Sequence, residues 1–203
     1  VIAMGQVEKI DSKLAKKVTE NDRGVKSLEV QIEEDCSNII ARRQPAAGDL
    51  RMMMMMVKTI TDLERIGDEA TKIAHTAQKI YEEDRMYKPR FNEIKAMVAL
   101  VREMLRTALD GFARLDVSKT VEVARQDEQV DEHFRAAMRQ LITFMLEDPR
   151  TISMSLEVLF VAKAIERIGD HAKNIAEYVV YMVKGKDVRH TSVQEMERET
   201  LQS

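Results

Sequence analysis

Glu64-Arg65-Ile66-Gly67-Asp68 returns letter for letter as Glu166-Arg167-Ile168-Gly169-Asp170. Widening the windows to 64–74 and 166–176 keeps eight of eleven aligned residues identical. The offset, 166 − 64 = 102, is about half of the 203-residue chain. One structural unit therefore occurs twice in tandem. Glu64 and Asp68 stand four residues apart, as do Glu166 and Asp170. On a helix that spacing puts both carboxylates of a pair on one face.

The surrounding composition is helical. Glycine and proline number seven and three, aromatics are scarce, and Leu, Met, Ala, Lys, Glu and Arg fill the chain. No alternating β pattern interrupts them, so the fold class is all-α. A hydrophobic fraction of 44% is enough to build a core. A net charge of −3 and a pI near 5.9 lack the cationic stripe of a nucleic-acid binder. Cys36 is the single cysteine, which excludes an internal disulfide framework and fits a reducing compartment. No apolar run approaches the ~20 residues that a membrane helix needs.

The prolines divide the pattern. Pro45 lies in a break with Asp49 as its expected N-cap, Pro89 separates the halves, and Pro149 repeats the Pro45 break. Leu115-Asp116-Val117-Ser118 is a further break. The second half then reads as helices over 90–114, 118–147 and 151–184. The first half offers 13–43 and 49–82. Its first helix is expected to be residues 1–10 plus about fifteen missing ones, by analogy with the second half. The organisation is two three-helix repeats, 1–84 and 90–184, with a polar tail at 185–203 that is either a short helix or frayed. Gly185 is a helix stop.

Helix 118–147 carries the seam Val123, Asp127, Val130, Phe134, Ala137, Leu141, Phe144, in alternating steps of four and three. Asp127 on that stripe needs a partner. The first half repeats it with Val18, Asp22, Val25, Glu29, Ile32, Cys36 and Ile39. The third helix of the second half has a stripe of Leu159, Ala162, Ile165, Ile168, Ala172, Ile175 and Val179, flanked by Glu166, Asp170 and Glu177. In the first half Met56, Leu63, Ile66, Ala70, Ile73 and Ala77 form the stripe, flanked by Glu64 and Asp68. Gly67 and Gly169 each cost about 1 kcal/mol in a helix, which points to a close approach by a neighbouring backbone or a ligand.

If the second and third helices of a half are neighbours, Asp127 and Asp131 meet Glu166 and Asp170. Converging carboxylates raise one another's pKa values or take a cation, and oxygen-only ligands suit Mg²⁺, Mn²⁺, Ca²⁺ or iron better than zinc. The first half offers Asp22, Glu29, Glu64 and Asp68, but Lys26 stands where Asp131 does. The plainer reading is a solvated face neutralised by Arg65 and Arg167. The run Met52–Met56 reads mostly as core filler or helix-contact residues, and His171 as a surface or interface residue. There is no Glu-x-x-His pair, no phosphate-binding glycine loop and no nucleophile beside a base, so nothing points to an enzyme.

Ala41-Arg42-Arg43-Gln44-Pro45-Ala46-Ala47-Gly48-Asp49-Leu50-Arg51 followed by Asp62-Leu63-Glu64-Arg65-Ile66-Gly67-Asp68 closely resembles the PhoU family. So does Glu147-Asp148-Pro149-Arg150 followed by Glu166-Arg167-Ile168-Gly169-Asp170-His171-Ala172-Lys173-Asn174-Ile175-Ala176-Glu177. The resemblance implies two three-helix bundles about a pseudo-twofold axis. It implies a non-enzymatic, cytoplasmic regulator, peripheral to the inner membrane, that contacts the ATPase of the phosphate ABC transporter and a sensor histidine kinase. In that role it would modulate phosphate uptake and repress the phosphate-starvation response. Homodimers are expected, and nucleic acid is not a partner. The family's acidic motifs imply iron or zinc, with manganese or magnesium as further fits, at Asp22, Glu64, Asp68, Asp127, Asp131, Glu166 and Asp170. The alternative function is accordingly metal binding with a minor regulatory role.

Overall fold

The computed structural model describes residues 12–82, 92–189 and 191–201. Among these, the chain is all-α: α1 (Ser12–Arg43), α2 (Ala47–Glu82), α3 (Asn92–Arg114), α4 (Thr120–Glu147), α5 (Ile152–Lys184) and α6 (Val193–Leu201). The expected breaks at Pro45, Leu115–Ser118 and Pro149 all end helices. Gln44 reverses the chain after α1 with a positive φ of 45°. Asp49 is not the N-cap, because α2 already begins at Ala47 and the Leu50 N–H donates to the Ala46 carbonyl. After α3, Leu115 takes φ 54° and the Asp116 carboxylate accepts the Ser118 N–H at 2.8 Å. Asp148 does the same for Arg150 at the Pro149 turn. Gly185 closes α5 in the left-handed conformation, φ 69°, as its position predicts.

Helix α5 is the axis of the molecule, packing against α2, α3 and α4. Its predicted stripe is buried from Ala162 to Val179, with Leu159 packed at its edge. Each fully buried isoleucine, such as Ile165, Ile168 or Ile175, contributes about 2 kcal/mol of apolar burial. The α2–α5 contact joins the halves, so Ile73 and Ala74 share one core with Met97, Val101 and Met104 of α3. The halves are thus not separate cores set side by side.

In the second half α3 covers α4 and α5. The corresponding first-half helix, expected from residues 1–10 onward, falls outside the described residues. On α1 and α2 the matching face forms a groove of about 610 Å³ lined by Ile32, Cys36, Ile39, Met52, Met53 and Met56. Ile39 and Met56, both read as core, are exposed there. The methionine run is likewise not mostly filler: Met55 is buried, whereas Met52 and Met54 as well as Met56 reach solvent.

The segment after Gly185 docks rather than frays. Ser192 and Glu195 cap each other at the start of α6, backbone to side chain in both directions, at 3.0 and 3.2 Å. Val188 and Met196 are buried against Ala124 and Val180.

Candidate functional site

Each repeat turns its acidic motif toward the neighbouring helix of the same half, but the two faces are neutralised differently. In the first half Asp22 is buried on α1, Glu64 is largely buried on α2, and Asp68 is half exposed. Lys26 stands among them. Its ammonium lies 2.6 Å from Asp68, 3.0 Å from Asp22 and 3.7 Å from Glu64. These contacts, to Asp68 first and then Asp22, hold the ammonium pKa above its ordinary value. A cation supplied by the chain thus stands among the three carboxylates. Glu29, one turn further along α1, is pushed upward by burial and then by Glu64 and Glu33.

Second-half Asp127 is buried on α4 and takes the Lys173 ammonium at 2.8 Å. Glu166 pairs with Lys163 at 2.6 Å along α5. Asp170 has no such partner among the described residues. It is pushed up to about 6, first by partial desolvation against its neighbours and then by Glu166, Asp127 and Asp131, although its carboxylate still reaches solvent. Asp131 is partly buried, and its backbone carbonyl accepts from Arg135. The expected meeting of these four acids is therefore felt electrostatically at Asp170. Even so, among the described residues no three Asp, Glu, His or Cys side chains converge closely enough to hold a metal ion. As arranged, neither face is a formed coordination sphere: Lys26 fills the first, and Lys163 and Lys173 engage the second.

The expected neutralising arginines do something else. Arg167 reaches across to the buried Glu69 of α2 at 3.2 Å, and Lys72 holds the same carboxylate at 2.8 Å. Arg65 and Arg167 line one open cleft between the halves with Asp68 and Asp170. The repeated motif therefore faces its own copy across α2 and α5.

Sequence reasoning missed the polar contact at that junction. Asp62 is buried on α2, with its Oδ1 2.7 Å from His171 Nδ1 and accepting from Asn174 Nδ2 at 3.4 Å. His171 is thus an interface residue within the chain, orienting α5 on α2. Tyr178 lies further along, its hydroxyl pKa raised by burial and then by the Asp62 carboxylate. His171 and Asn174 stand where the first copy has Glu69 and Lys72, and that departure from the repeat is the trace of this contact in the sequence.

The two motif glycines differ in what they admit. A Cβ on Gly67 would stand 2.4 Å from Asp22 Oδ1, so the glycine seats the buried carboxylate. At Gly169 the neighbours are Val101, Met104 and Val130 at 3.4–3.8 Å, which is ordinary packing. Side chains, not a neighbouring backbone, make both approaches. Glu177, read as part of the acidic face, is instead 5% exposed, and its carboxyl is pushed up to about 7, chiefly by burial.

Elsewhere on the second half Ile142, Leu146, Ile152, Leu156 and Phe160 are exposed on α4 and α5. They recur every four residues on each helix, which makes a ridge rather than scattered surface residues. No helix among the described residues is long and apolar enough to cross a membrane.

The family model described as the PhoU domain matches this chain twice, over residues 3–85 and 94–179. Among curated proteins, a phosphate-specific transport system accessory protein PhoU homolog of Pseudomonas putida is 47% identical over 190 residues, 93% of this chain and 73% of the relative. The accessory protein PhoU of Escherichia coli K12 is 45% identical over 188 residues, 93% of this chain and 77% of its own. The crystal structure of PhoU from Pseudomonas aeruginosa superposes with a TM-score of 0.87 at 44% identity, covering 91% of this chain and 88% of that one. That of the phosphate transport system regulatory protein PhoU from Streptococcus pneumoniae gives 0.81 at 26%, covering 92% and 87%. The family is one of regulatory accessory proteins and not of enzymes. With both repeats matched and the whole helical arrangement shared, this chain belongs to the PhoU family.

Proposed function

We propose that this chain is a regulatory adaptor of phosphate transport. The observation that carries the reading is its 45–47% identity, over 93% of its length, to accessory proteins of the phosphate-specific transport system. In finer terms, it contacts the ATPase of the phosphate ABC transporter and a sensor histidine kinase. Through them it modulates uptake and holds the starvation response off when phosphate is ample. It works in the cytoplasm at the inner membrane, held there by its partners, and as a homodimer. Such a regulator needs different affinities for two partner states and no turnover. A rigid bundle with an acidic face on α5 and an apolar ridge on α4 and α5 supplies surfaces of the kind a partner can read. Affinity purification of the tagged chain from phosphate-replete cells tests this. Recovery of the transporter ATPase and the kinase is expected, and recovery of neither, from cells shown to express both, overturns the contacts.

A second reading, cation binding at Asp127, Asp131, Glu166 and Asp170, is favoured by the grouping of these acids about Asp170, whose carboxyl is pushed up first by desolvation and then by Glu166, Asp127 and Asp131. Lys163 and Lys173 would have to yield their carboxylates to the ion. Iron, zinc, manganese or magnesium are the candidates. Elemental analysis after purification without chelators would return one of them stoichiometrically, with loss in Glu166→Ala and Asp170→Ala. Metal-free protein that keeps its partners removes this reading.

A further inference from the structure

Where the start of α2 passes the end of α5, a cleft of about 330 Å³ opens. Arg51 and Lys58 stand on its α2 wall, seven residues and two turns apart, hence on one face. Each lies over a tyrosine of α5. The Arg51 guanidinium carbon is 6.0 Å from the centre of the Tyr181 ring, and the Lys58 ammonium is 5.7 Å from that of Tyr178. Among the described residues neither cation has a carboxylate at ion-pair distance, although Lys58 is near enough to help hold the Asp187 carboxyl down, and Arg51 Nε is buried without a hydrogen-bond partner. The third cation of the cleft, Arg189, is already engaged by Asp187. Glu177 also lines the cleft. It is 95% buried and has no hydrogen-bond donor among the described residues. A guanidinium and an ammonium without an ion-pair contact, beside a buried carboxyl without a hydrogen-bond donor, are costly to keep withdrawn from water without a ligand.

The duplication provides an internal control. Stepping by 102 residues, Arg51 corresponds to Ser153, Lys58 to Phe160, Tyr178 to Thr76, Tyr181 to Lys79 and Glu177 to His75. No member of the set keeps its chemistry in the other copy. A role in holding the repeat together would apply at both ends of the α2–α5 pair, so this constellation belongs to one end for a different reason.

We propose that this cleft binds a phosphorylated small molecule, with Arg51 and Lys58 on the phosphoryl oxygens and Met54, Tyr178 and Tyr181 against the organic remainder. A phosphomonoester offers three strong acceptor oxygens, enough for a guanidinium, an ammonium and a protonated carboxyl together. A single carboxylate offers two oxygens. The volume falls at the small end of ligand pockets, about 300–1,000 Å³, which exceeds a bare oxyanion and suits a sugar phosphate or mononucleotide. Gly185 lies against the same guanidinium: a Cβ there would come within 2.7 Å of Arg51 Nη1 and displace it from this position.

Isothermal titration of the full chain with adenosine monophosphate, inorganic phosphate, adenosine and succinate tests the assignment. The monophosphate binds saturably, inorganic phosphate binds more weakly, and adenosine does not bind. Lys58→Met, a partly exposed position whose loss leaves the helix intact, weakens the monophosphate at least about tenfold, while Lys58→Arg keeps it within about threefold. Three results overturn the proposal. One is no saturable binding of either phosphate probe up to about 10 mM. Another is affinity unchanged in both Lys58→Met and Arg51→Gln, with circular dichroism showing both variants folded. The third is succinate or inorganic phosphate binding as tightly as the monophosphate.

Discussion

Replacing Glu177 by glutamine isolates the cost of one buried acid. Glu177 is 5% exposed and its carboxyl titrates near 7 in the folded protein, against an ordinary 4.5. Burial is the main cause. Asp127 and Asp187 add to the shift, and Lys173 and Arg189 oppose it. Between pH 4.5 and 7 the folded state therefore binds more protons here than the unfolded state. The stabilisation from the neutral carboxyl is full below pH 4.5 and is lost as the pH rises through 7. At about 1.4 kcal/mol per pH unit, the full span is worth about 3 kcal/mol. Glutamine keeps the shape and removes the ionisation. The variant should gain about 2–3 kcal/mol more over the wild type at pH 8 than at pH 5. Denaturant unfolding of both proteins at the two pH values measures it, and titrating groups that do not interact with Glu177 cancel in the comparison. An unchanged difference between pH 5 and pH 8 would show that Glu177 ionises normally and that its burial carries no charge penalty.

Three other substitutions probe other parts of the structure. Ile165→Ala empties the centre of α5 and should cost about 2–5 kcal/mol in denaturant unfolding; a loss under 1 kcal/mol would mean that α5 is not the axis of the core. Gly185→Ala forces a side chain into φ 69° and against Arg51, and should cost about 1–2 kcal/mol, while an unaltered melting temperature would contradict the left-handed cap. Lys26→Asp removes the internal cation beside Asp22, Glu64 and Asp68. The variant should melt lower than the wild type without metal and regain stability on adding Mn²⁺, which the wild-type first half cannot do. A melting temperature indifferent to Mn²⁺ would refute the idea that Lys26 substitutes for an ion.

Much of this fold is written in local signals. The duplicated Glu-Arg-Ile-Gly-Asp motif reveals the repeat, Pro45, Pro149 and Gly185 mark helix ends, and the four-three spacing of α4 and α5 identifies most of the buried stripe. Ser192 and Glu195 spell a capping box that announces α6 in the same way. Where periodicity is absent, prediction fails: Met52–Met56 covers every side of α2, so its burial is decided by neighbours and not by its own pattern. Long-range pairings are invisible for a related reason. Lys26 is legible as a break in the acidic pattern, but its role depends on Asp68, 42 residues away. Asp62 meets His171 only because α2 lies on α5, a contact between halves that no single-helix pattern encodes. The cations of the α2–α5 cleft escape notice because Arg51 and Lys58 look like any solvated helix face until Tyr178 and Tyr181 are set opposite them.

The regulatory role stands or falls on alkaline phosphatase activity in a strain lacking this gene, grown in excess phosphate beside a complemented control. High activity that falls on complementation is the outcome expected of a repressor of the starvation response. Low activity in the deletion strain, equal to that of the parent, would contradict that role.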